Sequence, residues 1–316
     1  MFSHLNHFSS GSSRSLHPDH PHIAADSAIW SPDELLITSP GVSQAVEVWS
    51  TITDRNFFTF NEYPGMVSAV AWSPDGTHLA TVGTDQTVQV WNALTGTLLL
   101  TYRGHSGKVL ALAWSPDGTR IASAGTDQTV QVWNILTGTL LLTYRGHSGN
   151  VLALAWSPDG TRIASGSTDQ TVQIWNALTG KHLFTYYGHN NAVLALAWSP
   201  DGTRIASGGT DQTVQIWNAL TGVAYLIYRG HTGTISTIAW SPDDTRIASA
   251  STDQTVQVWD VLTGGRLLTY RGHNGTVLTV AWSPDGGLIA SEGTDQTVQV
   301  WNVITGELFR MSILGR

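Results

Sequence analysis

The chain has 316 residues and a formal net charge of −8 at pH 7, from 15 basic and 23 acidic side chains. Charged residues make up 12% and hydrophobic residues 41%, which excludes a disordered polyelectrolyte and a coiled coil and leaves enough apolar matter for a core. There is no Cys, so disulfides, zinc–thiolate centres and cysteine nucleophiles are excluded.

Only Lys108 and Lys181 are lysines, and the basic residues do not cluster as a duplex-binding surface requires, so no nucleic-acid partner is expected. No apolar run approaches the roughly 18 residues of a membrane span. No apolar stretch of signal-peptide length opens the chain. The expectation is a cytoplasmic protein with no membrane partner.

Residues 1–22 hold six Ser and five His and read as a disordered, Ser/His-rich tail. His4, His7, His17, His20 and His22 have spacings a metal could use, but the tail reading is preferred and no metal or cofactor is expected.

From residue 23 the chain repeats. Seven of its 14 Trp stand in WSP strings, at Trp30, Trp72, Trp114, Trp156, Trp198, Trp240 and Trp282. The other seven are Trp49, Trp91, Trp133, Trp175, Trp217, Trp259 and Trp301. Both series step by 42 residues, and seven such units fill residues 23–316.

One unit, residues 107–148, shows the pattern. The apolar run Val109–Trp114 predicts a strand buried on both faces. Ser115-Pro116-Asp117-Gly118 is turn chemistry, because Pro fixes φ and Gly supplies a positive φ. Further strands are predicted at Arg120–Ala124, Thr129–Trp133 and Leu140–Tyr144, separated by turns at Gly125–Gln128 and Leu136–Gly138. No helical period appears. Four short strands per unit cannot bury their faces alone, so units must stack. The last unit stays close to the consensus rather than turning into a polar cap, which favours a closed ring over an open solenoid.

On the recurring GH, SPDG, TDQTVQVW and Trp-Asn/Asp motifs the units resemble WD40 repeats. The chain resembles a seven-bladed WD40 β-propeller, all-β, with four antiparallel strands per blade. The family's Trp-Asp occurs only at Trp259-Asp260; elsewhere Trp-Asn dominates. The first unit is degraded, with Ser43 at the turn Asp position and Pro21 at the His position. The second has Tyr63 in place of that His.

Each typical unit brings a His, a Ser and an Asp, which alone would suggest a hydrolase triad. Five scattered copies do not fit one active site. The resemblance implies structural tetrads, in which the His bonds the turn Asp, the strand Ser and the third-strand Trp. The five sets are His105/Ser123/Asp127/Trp133, His147/Ser165/Asp169/Trp175, His189/Ser207/Asp211/Trp217, His231/Ser249/Asp253/Trp259 and His273/Ser291/Asp295/Trp301.

Of 18 Asp, 13 lie in the SPD and TDQ turns, so the acidic balance says little about partners. No Trp remains outside the two series to build a sugar site. The innermost strands show no cluster of acids or His for channel chemistry, so no enzyme is expected.

The resemblance implies a scaffold that docks protein or peptide segments on its top face. Its contacts would fall at Lys108, Leu110, Thr126, Asn150, Leu152, Thr168, Leu194, Thr210 and Leu278. Inter-blade packing of the Leu residues is the competing reading. The alternatives are a propeller enzyme with a central-channel site, and a detached regulatory domain of a larger protein. A monomer is expected. Arg103, Arg145, Arg229 and Arg271 recur just before GH. The strand-like Glu307–Leu314 is expected to complete the last blade from its own repeat, so that the ring closes by packing alone and its weakest junction lies between repeats 7 and 1.

Overall fold

The computed structural model describes residues 29–31, 36–40, 46–50, 56–60 and 66–313; the N-terminal tail and its histidines lie outside these. Twenty-eight strands form seven four-stranded antiparallel sheets, each ordered as its strands occur in the chain. The first strand of each sheet lies against the first strands of both neighbours, and that of the last sheet lies against that of the first. The sheets are therefore blades around an axis, and the ring closes.

The seven blades expected from the sequence need a correction. Six blades, in repeats 2 to 7, are regular. The sheet of repeat 1 is described only in part, with Ile29–Trp30 of its inner strand among the described residues.

In repeat 3 the strands are Val109–Trp114, Arg120–Gly125, Val130–Asn134 and Leu140–Tyr144. Ile121 pairs with Trp114 on one side and Trp133 on the other. The three inner strands are almost wholly buried, while the outer one exposes Leu140 and Leu141. The SPD turn is clamped by its Asp: Ser115 Oγ donates to Asp117 Oδ1 at 2.5 Å, as does the Thr119 N–H at 3.0 Å.

The Trp-Asn departure is explained by the next turn. Asn134 Oδ1 accepts from the N–H groups of Leu136 and Thr137. Asp260 Oδ1 does the same for Leu262 and Thr263. One side-chain oxygen is enough, so amide and carboxylate serve alike.

Blades are joined by three repeated contacts. Trp114 Nε1 donates to the Ala71 carbonyl of the preceding blade at 3.1 Å, and Trp156, Trp198, Trp240 and Trp282 repeat the bond. The guanidinium of Arg120 lies 4.9 Å above the Trp156 ring of the following blade, and Arg162, Arg204 and Arg246 do likewise on Trp198, Trp240 and Trp282. Such a cation–π contact contributes about 0.5–1 kcal/mol. Thirdly, the outer-strand Tyr stacks on the third-strand Trp of the next blade, as in Tyr186–Trp217, 4.4 Å apart and 7° from parallel.

The last blade is completed by its own strand Leu308–Ile313, paired to Thr297–Asn302 from Trp301↔Leu308 to Thr297↔Ile313. The expected closure without strand exchange is thus met: on its other side Thr297–Asn302 pairs with Leu288–Gly293 of the same blade.

Candidate functional site

The connectors between blades and the turns between strands 2 and 3 lie at the same end of the strands. They are tied together there, for example by the Thr126 N–H donating to the Lys108 carbonyl at 2.9 Å. This is the top face. The SPD and Asn-X-X-Thr-Gly turns form the opposite face.

All five expected His sets assemble. His147 Nδ1 lies 2.7 Å from Asp169 Oδ2, and His147 Nε2 lies 2.8 Å from Ser165 Oγ. The sets on His105, His189 and His231 repeat this at 2.7–2.9 Å. In the set on His273, Nδ1 is 3.0 Å from Asp295 Oδ2 and Nε2 is 2.9 Å from Ser291 Oγ.

The implied role of Trp needs correction. Trp217 and Trp301 donate to Ser207 and Ser291 at 3.1 Å, not to the His. In Trp133, Trp175 and Trp259 the buried Nε1 has no hydrogen-bond partner. In the Trp217 and Trp301 sets the order is therefore indole, serine, imidazole, carboxylate. The imidazole Nε2 faces the serine hydroxyl and Nδ1 faces the aspartate carboxylate.

That connectivity is the one a Ser-His-Asp hydrolase uses, and burial decides against the chemistry. Ser123, Ser165, Ser207, Ser249 and Ser291 are each 0% exposed, so no substrate reaches the oxygen. Each carboxylate is also saturated. Asp127 accepts from His105, the Ser106 N–H, the Thr129 N–H and the Thr129 hydroxyl. Among the described residues no group of three or more His, Asp or Glu side chains converges as metal ligands.

Burial acts to raise the Asp127 pKa, but the bonds and charge of His105 and the Thr129 bonds outweigh it and hold the carboxyl down at about 2; Asp211 is held at about 2 in the same way. Asp169, Asp253 and Asp295 are lowered too. Burial lowers the pKa of His273.

Both shifts have the same sign for stability. A group whose folded pKa lies below its unfolded value stabilises the fold above the unfolded pKa, and that contribution is lost as pH falls. We expect the Tm to begin falling below about pH 6.5, the ordinary histidine value, and to drop steeply from about pH 4 towards 2 as the aspartates protonate. Calorimetry across this range is the check, and a Tm unchanged from neutral pH down to about pH 3 would contradict the assignment.

Sequence reasoning gave no role to the Gln two residues before each third-strand Trp. Tyr102 of one blade donates its hydroxyl to Gln131 Oε1 of the next at 2.8 Å, and Gln131 Nε2 donates to the Gly104 carbonyl at 3.1 Å. The bond runs beside Gly104, where a Cβ would stand 2.4 Å from the Tyr102 oxygen and 2.5 Å from Gln131 Oε1. The Gly of each GH pair is needed because this bond occupies the space of a side chain. Burial pushes the Tyr144 and Tyr270 hydroxyls up to about 12, with the nearby aspartates adding to it.

Five junctions carry this bond. Position 60 is the repeat counterpart of Tyr102 and carries Phe, and Gln89 Oε1, at the position matching Gln131, is buried with no hydrogen-bond partner. Phe60→Tyr should supply the missing donor and stabilise the protein by about 1 kcal/mol. The Tm should rise and should not rise in Phe60→Tyr/Gln89→Leu.

The expected top-face residues divide in two. Leu110, Leu152 and Leu194 are 7–8% exposed and pack on one another, while Leu278 is half-buried. Lys108 and Thr168 are exposed; Thr126, Asn150 and Thr210 are half-buried. The Thr hydroxyls bind the connectors, as where the Thr234 N–H donates to Thr252 Oγ1 at 2.9 Å. Arg103, Arg145, Arg229 and Arg271 are exposed on the same face.

A closed ring of four-stranded blades, joined by Trp and pinned by GH–Asp networks, defines a WD repeat β-propeller. The family model described as WDR19 first beta-propeller matches residues 68–225, and the model described as WD domain, G-beta repeat matches residues 222–260 and 264–302. The chain belongs to the WD40-repeat β-propellers. No curated protein matches it.

Proposed function

We propose that this protein is a non-enzymatic docking scaffold that holds protein or peptide segments on its top face. The observation that carries the reading is how the reactive-looking groups are used: the His, Ser and Asp side chains of five blades are consumed in fixing the connectors, leaving a rigid, polar face above them. Rigid presentation lowers the entropy cost of binding. Among the described residues the exposed part of the face has neither a Trp nor a deep apolar pocket, so single contacts are modest and repetition around the ring supplies avidity.

A second reading rests on the opposite face. Leu94, Leu136, Leu178, Leu220, Leu262 and Ile304, one per regular blade, are 68–92% exposed in its turns, an apolar ring of the kind that marks interaction surfaces.

Panning a displayed peptide library on the protein separates the two. Selected peptides should lose binding to Asn150→Trp/Thr168→Trp and keep it on Leu136→Asp/Leu178→Asp. The reverse pattern would transfer the function to the opposite face.

A further inference from the structure

The two faces differ in charge. On the top face every exposed charged side chain among the described residues is basic: Arg103, Lys108, Arg145, Arg229 and Arg271. Among the described residues none of the five makes an ion pair. The tetrad acids on that face are turned inward, with side chains 7–10% exposed and bound to His. On the opposite face Asp75, Asp117, Asp159, Asp201, Asp243 and Asp285 are exposed, the middle four each 3.5–3.7 Å from an Arg of the same blade, in a chain whose net charge is −8. An acidic protein has thus placed free guanidinium groups along one arc of one face.

We infer that the docked segment is acidic: a carboxylate-rich, extended polypeptide lying along the connectors, its side chains meeting Arg103, Arg145, Arg229 and Arg271 in turn. This rests on the top-face docking reading and names its ligand class. Guanidinium groups offer a planar fork that pairs two-pronged with carboxylates. They stand at one repeated position in four connectors, with Tyr187, 77% exposed, at that position between Arg145 and Arg229. The periodic spacing suits acids distributed along a segment rather than a single compact anion. The inner-strand leucines Leu110, Leu152 and Leu194 beneath are buried, so charge and not apolar insertion selects the ligand, and binding is salt-sensitive. A long nucleic acid fits less well, because beyond the arc it would meet the acids of the other face.

The test uses the full chain and fluorescence anisotropy. The probes are fluorescein-labelled Glu/Ser, Gln/Ser and Lys/Ser peptides of one length, and a single-stranded oligothymidylate. We expect the Glu/Ser peptide alone to bind, weakening about tenfold or more between low and high salt. Arg103→Gln/Arg145→Gln/Arg229→Gln/Arg271→Gln, with its Tm unchanged, should lose that binding, and Asp117→Asn/Asp159→Asn should keep it.

Equal binding of Glu/Ser and Gln/Ser peptides, undiminished binding by the Arg variant, or oligothymidylate binding as tight as Glu/Ser would each overturn the proposal. So would concentration-dependent stacking of the protein abolished by either variant, which would assign the arc to a second copy of the chain. Top-face peptides selected by panning that carry no excess of acids would overturn the acidic ligand and leave top-face docking standing. Peptides that map to the opposite face would remove both.

Discussion

Asp127→Ala will lower the Tm by several degrees, because it deprives several donors of one acceptor group. His105 Nδ1, the Ser106 N–H, and the N–H and hydroxyl of Thr129 all end on this carboxylate. The imidazole side chain is fully buried, at 0% exposure, and a buried donor left without its acceptor costs about 1–3 kcal/mol. Allowing for rearrangement and for the exposed donor, the total is on the order of 3–4 kcal/mol. Asp127→Asn should fall between. Its one remaining carbonyl oxygen can satisfy either Thr129 or His105, not both. Calorimetry of the two variants is the measurement, and a melting curve identical to that of the parent would remove the tetrad from the account of stability.

Trp217→Ala should cost about 3–5 kcal/mol, the usual range for emptying a buried indole site. Trp217 is 0% exposed, stacks on Tyr186 at 4.4 Å and donates to Ser207. A paired experiment isolates the hydrogen bond. Trp217→Phe loses the Ser207 bond, whereas Trp133→Phe removes an N–H that has no partner. The first should be more destabilising by about 1 kcal/mol. Equal losses would mean that the indole serves the blade only as bulk.

The fold was legible because its signal is repeated. Fourteen Trp in two series fixed the unit length, and turn chemistry divided the unit into four strands within a residue or two of those observed. Membership of each tetrad followed from the family pattern, but its internal order did not. Whether the indole reaches the imidazole or the serine depends on side-chain placement that spacing cannot supply.

The Tyr102–Gln131 bond and the Arg120–Trp156 contact were missed for another reason. Both cross a blade boundary, and the reading treated each unit by itself. Their signal was present in the recurrence of Tyr before RGH, Gln before VW and Arg after SPDGT. The top-face leucines illustrate a third limit. Position relative to the His marks the end of a strand, but neighbouring leucines decide how much of each meets solvent.

The Tyr–Trp stacks carry a consequence for how the protein comes apart. A phenol from one repeat covers the indole of the next, so the unit that recurs in the sequence is not the unit that is complete in energy. A fragment cut to whole repeats would present a bare indole at one end and an uncovered phenol at the other. Loss of any blade damages its neighbours on both sides, and a string of near copies held in this way melts as one all-or-none body rather than blade by blade.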